Sequence, residues 1–169
     1  QPSPTRGEGV KWITGVAARE YGQRLRSEYD AIVTGIGTVI ADDPLLTCRI
    51  KGLEDKSPVR VILDRKHRLP ADSKIAKAKD QVETWVLDLP DVPSVLSHLA
   101  EKGITRVLVE AGQGLNTAFL ESGAVDRLYW FKAPKTIGNG GLSAISGGKT
   151  QLSQLAKTHP VEHISLPPD

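Results

Sequence analysis

One stretch of the sequence, residues 35–49, carries many groups able to bind a ligand. Thr38 offers a hydroxyl, Asp42 and Asp43 offer carboxylates, and Arg49 offers a fork of donors suited to a phosphate or carboxylate. Two glycines near its start predict a tight turn close to a ligand, and the proline after Asp43 predicts an extended backbone at that aspartate. We interpret the stretch as one wall of a binding site, with a simple turn as an equally good interpretation of Asp43.

A second candidate site is the glycine-containing turn at residues 112–114, between a predicted strand and a predicted helix. Free N–H groups and the positive end of the helix dipole favour an anion such as a diphosphate at such a turn. The position that would complete a dinucleotide-binding fingerprint holds Thr117 instead of Gly or Ala, so that fingerprint fails. Because glycines are common at strand–helix turns, phosphate binding and a plain turn both stay open.

Glu110 ends a predicted buried strand, where a carboxylate costs free energy unless it is paired or used. Its partner could be a pyrimidine or pteridine ring with adjacent N–H donors, or a nearby arginine in a salt bridge. Arg26 and Arg49 are candidate phosphate ligands, and the basic loop at residues 65–68 could hold the 2′-phosphate that distinguishes NADP from NAD. From surface base rates alone, each of these basic groups is more often simply solvated than bound to a ligand. Trp12 could stack on a flat ring or pack beside a helix start.

The elements that would position these groups alternate along the chain. Strands are predicted at residues 30–34, 59–63, 84–87, 106–109 and 127–131, with 106–109 at the centre of the sheet. Helices are predicted from an N-cap at Thr14 to about Tyr29, at 73–79, from Val92 to a stop at Gly103, and from the 112–114 turn to a stop at Gly123. This order predicts an α/β fold with a mostly parallel sheet and helices on both faces.

In such a sheet, ligands collect beyond the carboxyl ends of the strands. Three polar segments, residues 35–49, 64–68 and 110–114, follow predicted strands and are therefore expected at that edge. Their convergence is stronger support for a ligand site than any one of them alone. Residues 138–169 receive no assignment.

The composition is that of one globular domain: 169 residues, 39% hydrophobic and 25% charged, with a net charge of +2. The dispersed Lys and Arg argue against a nucleic-acid scaffold, and no apolar run approaches the ~20 residues of a membrane helix. A single cysteine excludes both an internal disulfide and a zinc spacing, and fits a reducing, cytoplasmic compartment. Because Met is absent even at position 1, we expect a processed chain or a piece of a longer one.

Six blocks of the sequence together resemble one known family. They are Lys-Trp-Ile-Thr-Gly at 11–15, Arg-Leu-Arg at 24–26, Gly-Thr-Val-x-Ala-Asp-Asp-Pro-x-Leu-Thr-x-Arg at 37–49, the strand and aspartate at 59–64, Val-Glu-Ala-Gly at 109–112 and Ala-Pro-Lys at 133–135. The family is the riboflavin-biosynthesis pyrimidine reductase domain, the C-terminal half of the bifunctional deaminase–reductase. The long block at 37–49 makes this resemblance specific.

The resemblance implies a dihydrofolate-reductase-like fold that uses NADPH to reduce the ribosyl group of 5-amino-6-(5-phosphoribosylamino)uracil to ribityl, by hydride transfer to ribose C1. It places these residues at the NADP site: Trp12, Thr38, Asp42, Gly112, Gln113, Gly114, Leu115, Asn116, Thr117 and Ala118. It places these at the substrate: Arg26, Leu46, Arg49 and Glu110, with the arginines at its phosphate. No side chain is an obvious proton donor, and Asp42 is the candidate that we name.

The chain departs from the family pattern in three places. It starts after the family's first strand, Val10 stands where a substrate-contacting Ser is frequent, and Arg65 stands where another Ser is frequent but could still reach an NADP phosphate. We expect residues 1–169 to be a single reductase domain without the deaminase half, and leave open a deaminase domain in a parent chain. The resemblance also implies a homodimer without nucleic-acid or membrane partners.

Three alternative functions remain open from the sequence. The chain could be a related reductase of the same fold that acts on a diaminopyrimidine or pteridine. It could be a non-catalytic nucleotide-binding module, or an α/β domain without any ligand. Turnover of NADPH, tight NADPH binding without turnover, and the absence of thermal stabilisation by any nucleotide would separate them.

Overall fold

The computed structural model describes residues 13–133, 143–146, 153–155, 157 and 160–167. In chain order its elements are α1 (Val16–Glu28), β1 (Ala31–Gly35), α2 (Ile36–Asp42), a 3-10 turn (Glu54–Lys56), β2 (Val59–Leu63), α3 (Lys74–Lys77), β3 (Thr84–Leu87), α4 (Val92–Glu101), β4 (Val107–Val109) and α5 (Gln113–Glu121). Of the residues singled out above, Val10 and Trp12 lie outside the described part of the chain. In that part no helix is long and apolar enough to cross a membrane.

The four described strands form one parallel sheet in the order β3-β2-β1-β4. β1 pairs with β2 from Ala31↔Val59 to Gly35↔Leu63, and on its other side with β4. Because all these strands run the same way, the residues that follow β1, β2 and β4 emerge at one edge of the sheet. The predicted convergence of residues 35–49, 64–68 and 110–114 at the carboxyl edge is therefore confirmed.

Helices cover both faces of the sheet, as predicted. One face packs against α1, α2 and α3, in a core of Leu25, Ile32, Ile36, Val39, Leu46, Ile62, Ile75 and Leu108. The other packs against α4 and α5, in a core of Ala31, Val33, Val61, Val92, Val95, Leu99 and Phe119. The strands are apolar on both sides, which is why they read as continuous apolar runs instead of alternating ones.

One strand prediction is wrong about position and one is wrong about structure. Residues 106–109 contain a strand as predicted, β4, but it ends the strand order among the described residues instead of lying at the centre. Residues 127–131 form no strand, and Leu128 and Trp130 are 44% and 46% exposed. Apolar content alone does not give the strand order, and it cannot distinguish a paired strand from a loop that lays some of its apolar side chains on the protein.

The predicted N-cap of α1 is also wrong. The cap residue is Gly15, which has no side chain to accept a hydrogen bond. The backbone carbonyl of Thr14 instead accepts a hydrogen bond from the guanidinium of Arg19, at 2.6 Å. The first turn of α1 is thus stabilised from inside the helix, and its cap residue makes no side-chain hydrogen bond to it.

Candidate functional site

Helix α2 places Thr38 and Asp42 on one face at the carboxyl edge of the sheet. The sequence predicted a tight glycine turn here, which is wrong: Gly35 has a φ of −92° and Gly37 lies inside the helix. The apolar residues Ile36 and Val39 are buried against the sheet, and this packing favours a helix in spite of the β-branched sequence. Because helical residues four apart share a face, Thr38 and Asp42 point the same way.

Asp43 ends this helix in a left-handed conformation, with φ 40° and ψ 55°. The extended backbone predicted from the following proline is therefore wrong, since aspartate tolerates the left-handed region that lets its N–H cap Val39 O at 3.0 Å. Its carboxylate accepts a hydrogen bond from the Lys74 backbone N–H at 2.8 Å and lies 3.5 Å from the Lys74 ammonium. The interpretation of Asp43 as a turn residue is confirmed.

The irregular chain that follows, residues 43–49, is called here the clamped segment. Side chains from other elements bind its backbone groups, as follows: Arg60 donates to Leu45 O (3.3 Å), Arg26 donates to Thr47 O (3.2 Å), Ser57 accepts from Cys48 N–H (3.1 Å) and Gln23 accepts from Arg49 N–H (2.9 Å). Buried backbone groups need such partners, and an irregular segment cannot supply them from a helix or a sheet. The side chains therefore fix the path of the segment.

Arg60 is the member of this set that sequence reasoning missed. It lies in β2, is fully buried, and donates to several neutral acceptors besides Leu45 O: the carbonyls of Ile75, Ala78 and Val82 and the hydroxyl of Thr84. Burial lowers the pKa of its guanidinium. A charged residue inside the otherwise apolar run Val-Arg-Val-Ile-Leu was the available signal, since a buried arginine requires many partners.

Arg26 and Glu110 form a two-pronged ion pair. Arg26 Nε lies 2.8 Å from one carboxylate oxygen of Glu110, and Arg26 Nη2 lies 2.7 Å from the other. The side chain of Arg26 is 7% exposed and that of Glu110 is 32% exposed. Of the two open interpretations of Glu110, the salt bridge to an arginine is the one present in the structure.

Arg49 completes a small cationic cluster with this pair. Partial burial and then the nearby charge of Arg26 lower the pKa of Arg49, while the Glu110 carboxylate acts in the opposite direction. Two guanidinium groups and one carboxylate leave a net positive charge at this point. Such an arrangement favours an anion such as a phosphate.

Leu46 belongs to the clamped segment but turns its side chain into the protein. It is 3% exposed, within the core that also contains Leu25 and Ile32. Its φ of 54° is uncommon for a bulky residue. A substrate could therefore meet the backbone of Leu46, but not its side chain.

The start of α5 lies against the start of α2. Gly112 is the N-cap of α5, with φ −77° and ψ 172°, and a Cβ built on it would lie 3.8 Å from Thr38 Oγ1. A Cβ on Gly35 would lie 3.8 Å from the side chain of Leu115. Thr38 and the start of α5 thus lie close together at the edge of the sheet.

The polar side chains at the start of α5 bind residues 143–146. The contacts are Gln113 Nε2 to Ile145 O (3.4 Å), Asn116 Nδ2 to Ala144 O (3.1 Å) and Ser146 N–H to Thr117 Oγ1 (2.8 Å). Ile145 is 2% exposed. These side chains hold a neighbouring segment, so the backbone N–H groups of the first turn are the donors that α5 can offer to an anion.

Arg65 lies after β2, in a loop shaped by Asp64. The fully buried Asp64 accepts hydrogen bonds from the backbone N–H groups of Arg68 and Leu69, and Arg65 and Lys66 are exposed. The solvated-turn interpretation describes this loop as it stands, and a role in holding a 2′-phosphate stays a prediction. Among the described residues no cluster suits a metal ion.

A groove of about 1030 Å³ runs beside β4, between α1, α5 and residues 124–131. Gln23, Arg26 and Glu110 are among its lining residues. The free edge of β4 has no strand partner among the described residues. Arg26 and Glu110 therefore border a cavity, whereas Arg49, Thr38, Asp42 and Gly112 are not part of its lining.

Comparison with known proteins gives relatives along nearly the whole chain. The family model described as the RibD C-terminal domain matches residues 4–166. The riboflavin biosynthesis protein RibD of Bacillus amyloliquefaciens is 38% identical over 152 residues, which cover 76% of this chain and 41% of that protein. The 5-amino-6-(5-phosphoribosylamino)uracil reductase of Buchnera aphidicola is 29% identical over 76% of this chain and 77% of its own length.

A solved structure extends the likeness to the fold. The deaminase/5-amino-6-(5-phosphoribosylamino)uracil reductase of Thermotoga maritima matches with a TM-score of 0.69 and 32% identity, over 94% of this chain and 44% of that one. The predicted dihydrofolate-reductase-like fold is thereby confirmed. The chain spans less than half the length of the RibD relatives from Bacillus amyloliquefaciens and Actinobacillus pleuropneumoniae, at 41% and 46%.

Proposed function

Because this chain belongs to the RibD C-terminal domain family, we propose that it reduces the ribosyl group of 5-amino-6-(5-phosphoribosylamino)uracil to ribityl, with NADPH as hydride donor. One observation carries the proposal. The contact region between Thr38 and Gly112, suited to a dinucleotide, and the Arg26–Glu110–Arg49 cluster, suited to a phosphorylated substrate, lie at the same carboxyl edge of one parallel sheet. Hydride transfer requires the reacting atoms to be held at roughly 3 to 3.5 Å, which ligands bound at one shared edge can achieve.

The reductase family supports a nicotinamide cofactor in general. In our proposal its diphosphate binds the first N–H groups of α5, whose dipole stabilises an anion by about 0.3 to 1 kcal/mol. Thr38 and Asp42 face the nicotinamide half from α2. Arg65 is proposed to hold the 2′-phosphate and so to favour NADPH over NADH. Trp12 stays a prediction, outside the described residues.

On the substrate side, we assign the phosphate to the cationic cluster. Arg49 has an exposed side chain, and together with Arg26 and Glu110 it leaves one net positive charge. Glu110 uses one site on each oxygen to accept from Arg26, and a carboxylate has roughly four acceptor sites, so it can still accept from an N–H of the pyrimidine. The backbone of Leu46 would complete this wall.

When bound, the nicotinamide supplies the hydride, which reduces an imine or carbonyl at C1 of the opened ribose. The reduction also needs one proton, delivered to the atom that was double-bonded to C1. Asp42 is our candidate for that proton, because it shares a helix face with Thr38. The rest of the protein would align the two ligands and exclude water.

The proposal is tested by incubating the chain with NADPH and the pyrimidine phosphate, following NADPH absorbance and the mass of the product. We expect NADPH oxidation coupled to a ribityl product. NADPH binding without oxidation would instead favour the non-catalytic module. Oxidation only with an unphosphorylated diaminopyrimidine or a pteridine would favour the related reductase.

A matched pair of variants tests the proton donor. Asp42→Asn should lower turnover more than it weakens NADPH binding, because it removes the acid and keeps the shape. Asp43→Asn is the control, since that neighbouring carboxylate binds Lys74. Unchanged turnover in Asp42→Asn would leave Asp42 only a positioning role.

The surroundings of the domain are also proposals. The relative from Thermotoga maritima carries a deaminase and a reductase in its name, and we propose a deaminase as the source of this substrate. A homodimer remains a prediction, which mass measurement of the native protein in solution tests.

A further inference from the structure

Helix α1 holds the clamped segment at two points, one of which nothing in the sequence indicated. Gln23 and Arg26 are three residues apart and share a helix face. Arg26 Nη1 donates to Thr47 O at 3.2 Å, and Gln23 Oε1 accepts from the Arg49 N–H at 2.9 Å. Two backbone groups, two residues apart in the segment, are thus bound by one face of α1.

Three of the five N–H groups of Arg26 are already used. Nε and Nη2 donate to Glu110, and Nη1 donates to Thr47 O. Its side chain is 7% exposed, and its charge is balanced by a carboxylate at hydrogen-bond distance. An incoming phosphate would find few free donors on Arg26.

Arg49 is in the opposite situation. Its side chain is exposed, and among the described residues its backbone N–H donates to Gln23 Oε1. A long, flexible side chain binds an anion better when its backbone is fixed beforehand, because less conformational freedom is lost on binding. The placement of Arg49 therefore depends on Gln23.

We propose that Gln23 is a positioning residue that fixes the backbone of Arg49, so that Arg49 makes the direct contact with the substrate's phosphate while the Arg26–Glu110 pair supports the site from behind. For the identity of the substrate this rests on the proposed function. For the anion it rests on the contact of Gln23 with the Arg49 backbone and on the contacts of Arg26 with Glu110 and Thr47 O. Gln23 lies outside the residues that the family resemblance assigned to either ligand.

The test uses the full chain and ribose 5-phosphate as the probe, with binding measured by calorimetry. Gln23→Met has a similar size but accepts no hydrogen bond, and it should raise the Kd of ribose 5-phosphate about three- to tenfold, the effect of one lost hydrogen bond. The KM of the pyrimidine phosphate should rise by a similar factor, while kcat and the Kd of NADPH stay unchanged. Gln81→Met, in the exposed turn after α3, is the matched control.

A spectroscopic readout separates positioning from general damage. In Gln23→Met the amide ¹H signal of Arg49 should shift, reporting the lost hydrogen bond. Gln23→Glu keeps an oxygen acceptor and should restore that shift. An Arg49 amide signal that is the same in all three proteins would contradict the proposal.

The remaining outcomes are also decisive. If wild type does not bind ribose 5-phosphate, or if Gln23→Met binds it as tightly as wild type, the proposal is overturned. A parallel fall in kcat, NADPH affinity and thermal stability would show a merely structural Gln23 and overturn it too. If turnover of the pyrimidine fails but ribose 5-phosphate binding depends on Gln23 and Arg49, the proposed function falls and this inference stands.

Discussion

The two sides of the candidate site are built by different means. The clamped segment is irregular, contains two left-handed residues, Asp43 and Leu46, and is fixed by side chains from α1, β2 and the 3-10 turn region. The other side is the turn from the end of β4 to the start of α5, residues 110–114, called here the Gly112 corner. Gly112 has ordinary backbone angles there. One side depends on a few distant side chains, and the other on local backbone geometry. The two should therefore respond differently to mutation.

The largest effect is expected at Arg60. Arg60→Met removes the charged donor from the carbonyls of Leu45 and Ile75 and one of several donors from those of Ala78 and Val82. Each buried group left unsatisfied costs about 1 to 3 kcal/mol. We expect the free energy of unfolding to fall by about 3 to 5 kcal/mol in urea denaturation. Arg24→Met removes an exposed pair with Glu28 and is the control, expected to leave the free energy of unfolding nearly unchanged. Equal losses in both variants would contradict the role of Arg60 in fixing the clamped segment.

Breaking the ion pair should have the next largest effect. Glu110→Gln leaves the buried Arg26 without its counter-charge. Because Glu110 is one-third exposed, water replaces part of the lost interaction, and we expect a loss of about 2 kcal/mol. A double-mutant cycle with Arg26→Met measures the coupling, expected at about 1 to 2 kcal/mol. Zero coupling would mean that the Arg26–Glu110 pair does not stabilise the clamped-segment side of the site.

The corner should respond in binding more than in stability. Val is compatible with the backbone of Gly112, but its side chain would extend toward Thr38. We expect Gly112→Val to raise the Kd of NADPH roughly tenfold, a typical cost of overpacking, with a stability change under about 1 kcal/mol. Gly22→Ala, inside α1 where a Cβ meets nothing within 4 Å, should keep NADPH affinity. A tight NADPH complex in Gly112→Val would remove the corner from the cofactor site.

The smallest effect is expected at Asn116. Its side chain binds Ala111 O and Ala144 O, at 2.9 and 3.1 Å. Asn116→Ala should cost about 1 kcal/mol of stability, since both carbonyls can accept hydrogen bonds from water instead. NADPH affinity, measured by fluorescence titration, should change by less than about threefold if backbone groups bind the phosphates. A larger loss of affinity would show that the side chains of α5 bind the cofactor directly.

The sequence predicted what depends on neighbouring residues. The parallel sheet, the helices on both faces and the corner at Gly112 follow from local apolar runs and a glycine turn. Helix α2 was missed, because Gly-Thr-Val-Ile favours a turn or strand until Ile36 and Val39 are packed against the sheet. Tertiary packing overrode local preference there.

The contacts of the clamped segment could not be predicted. Gln23 meets Arg49 from 26 positions away, and Arg26 meets Glu110 from 84 positions away. Only the folded arrangement of α1, β1 and β4 brings them together. For Glu110 the sequence reduced the choice to two partners, and only the geometry identified which one is present.

The most direct test of the two-sided account compares two variants with two ligands. The Kd values of NADPH and ribose 5-phosphate are measured by calorimetry for Arg49→Met and Gly112→Val. The account predicts that Arg49→Met weakens ribose 5-phosphate at least about tenfold, the effect of a lost charged hydrogen bond, and leaves NADPH unchanged. Gly112→Val should do the reverse. Weakening of the same ligand by both variants, or of both ligands by each, would contradict it.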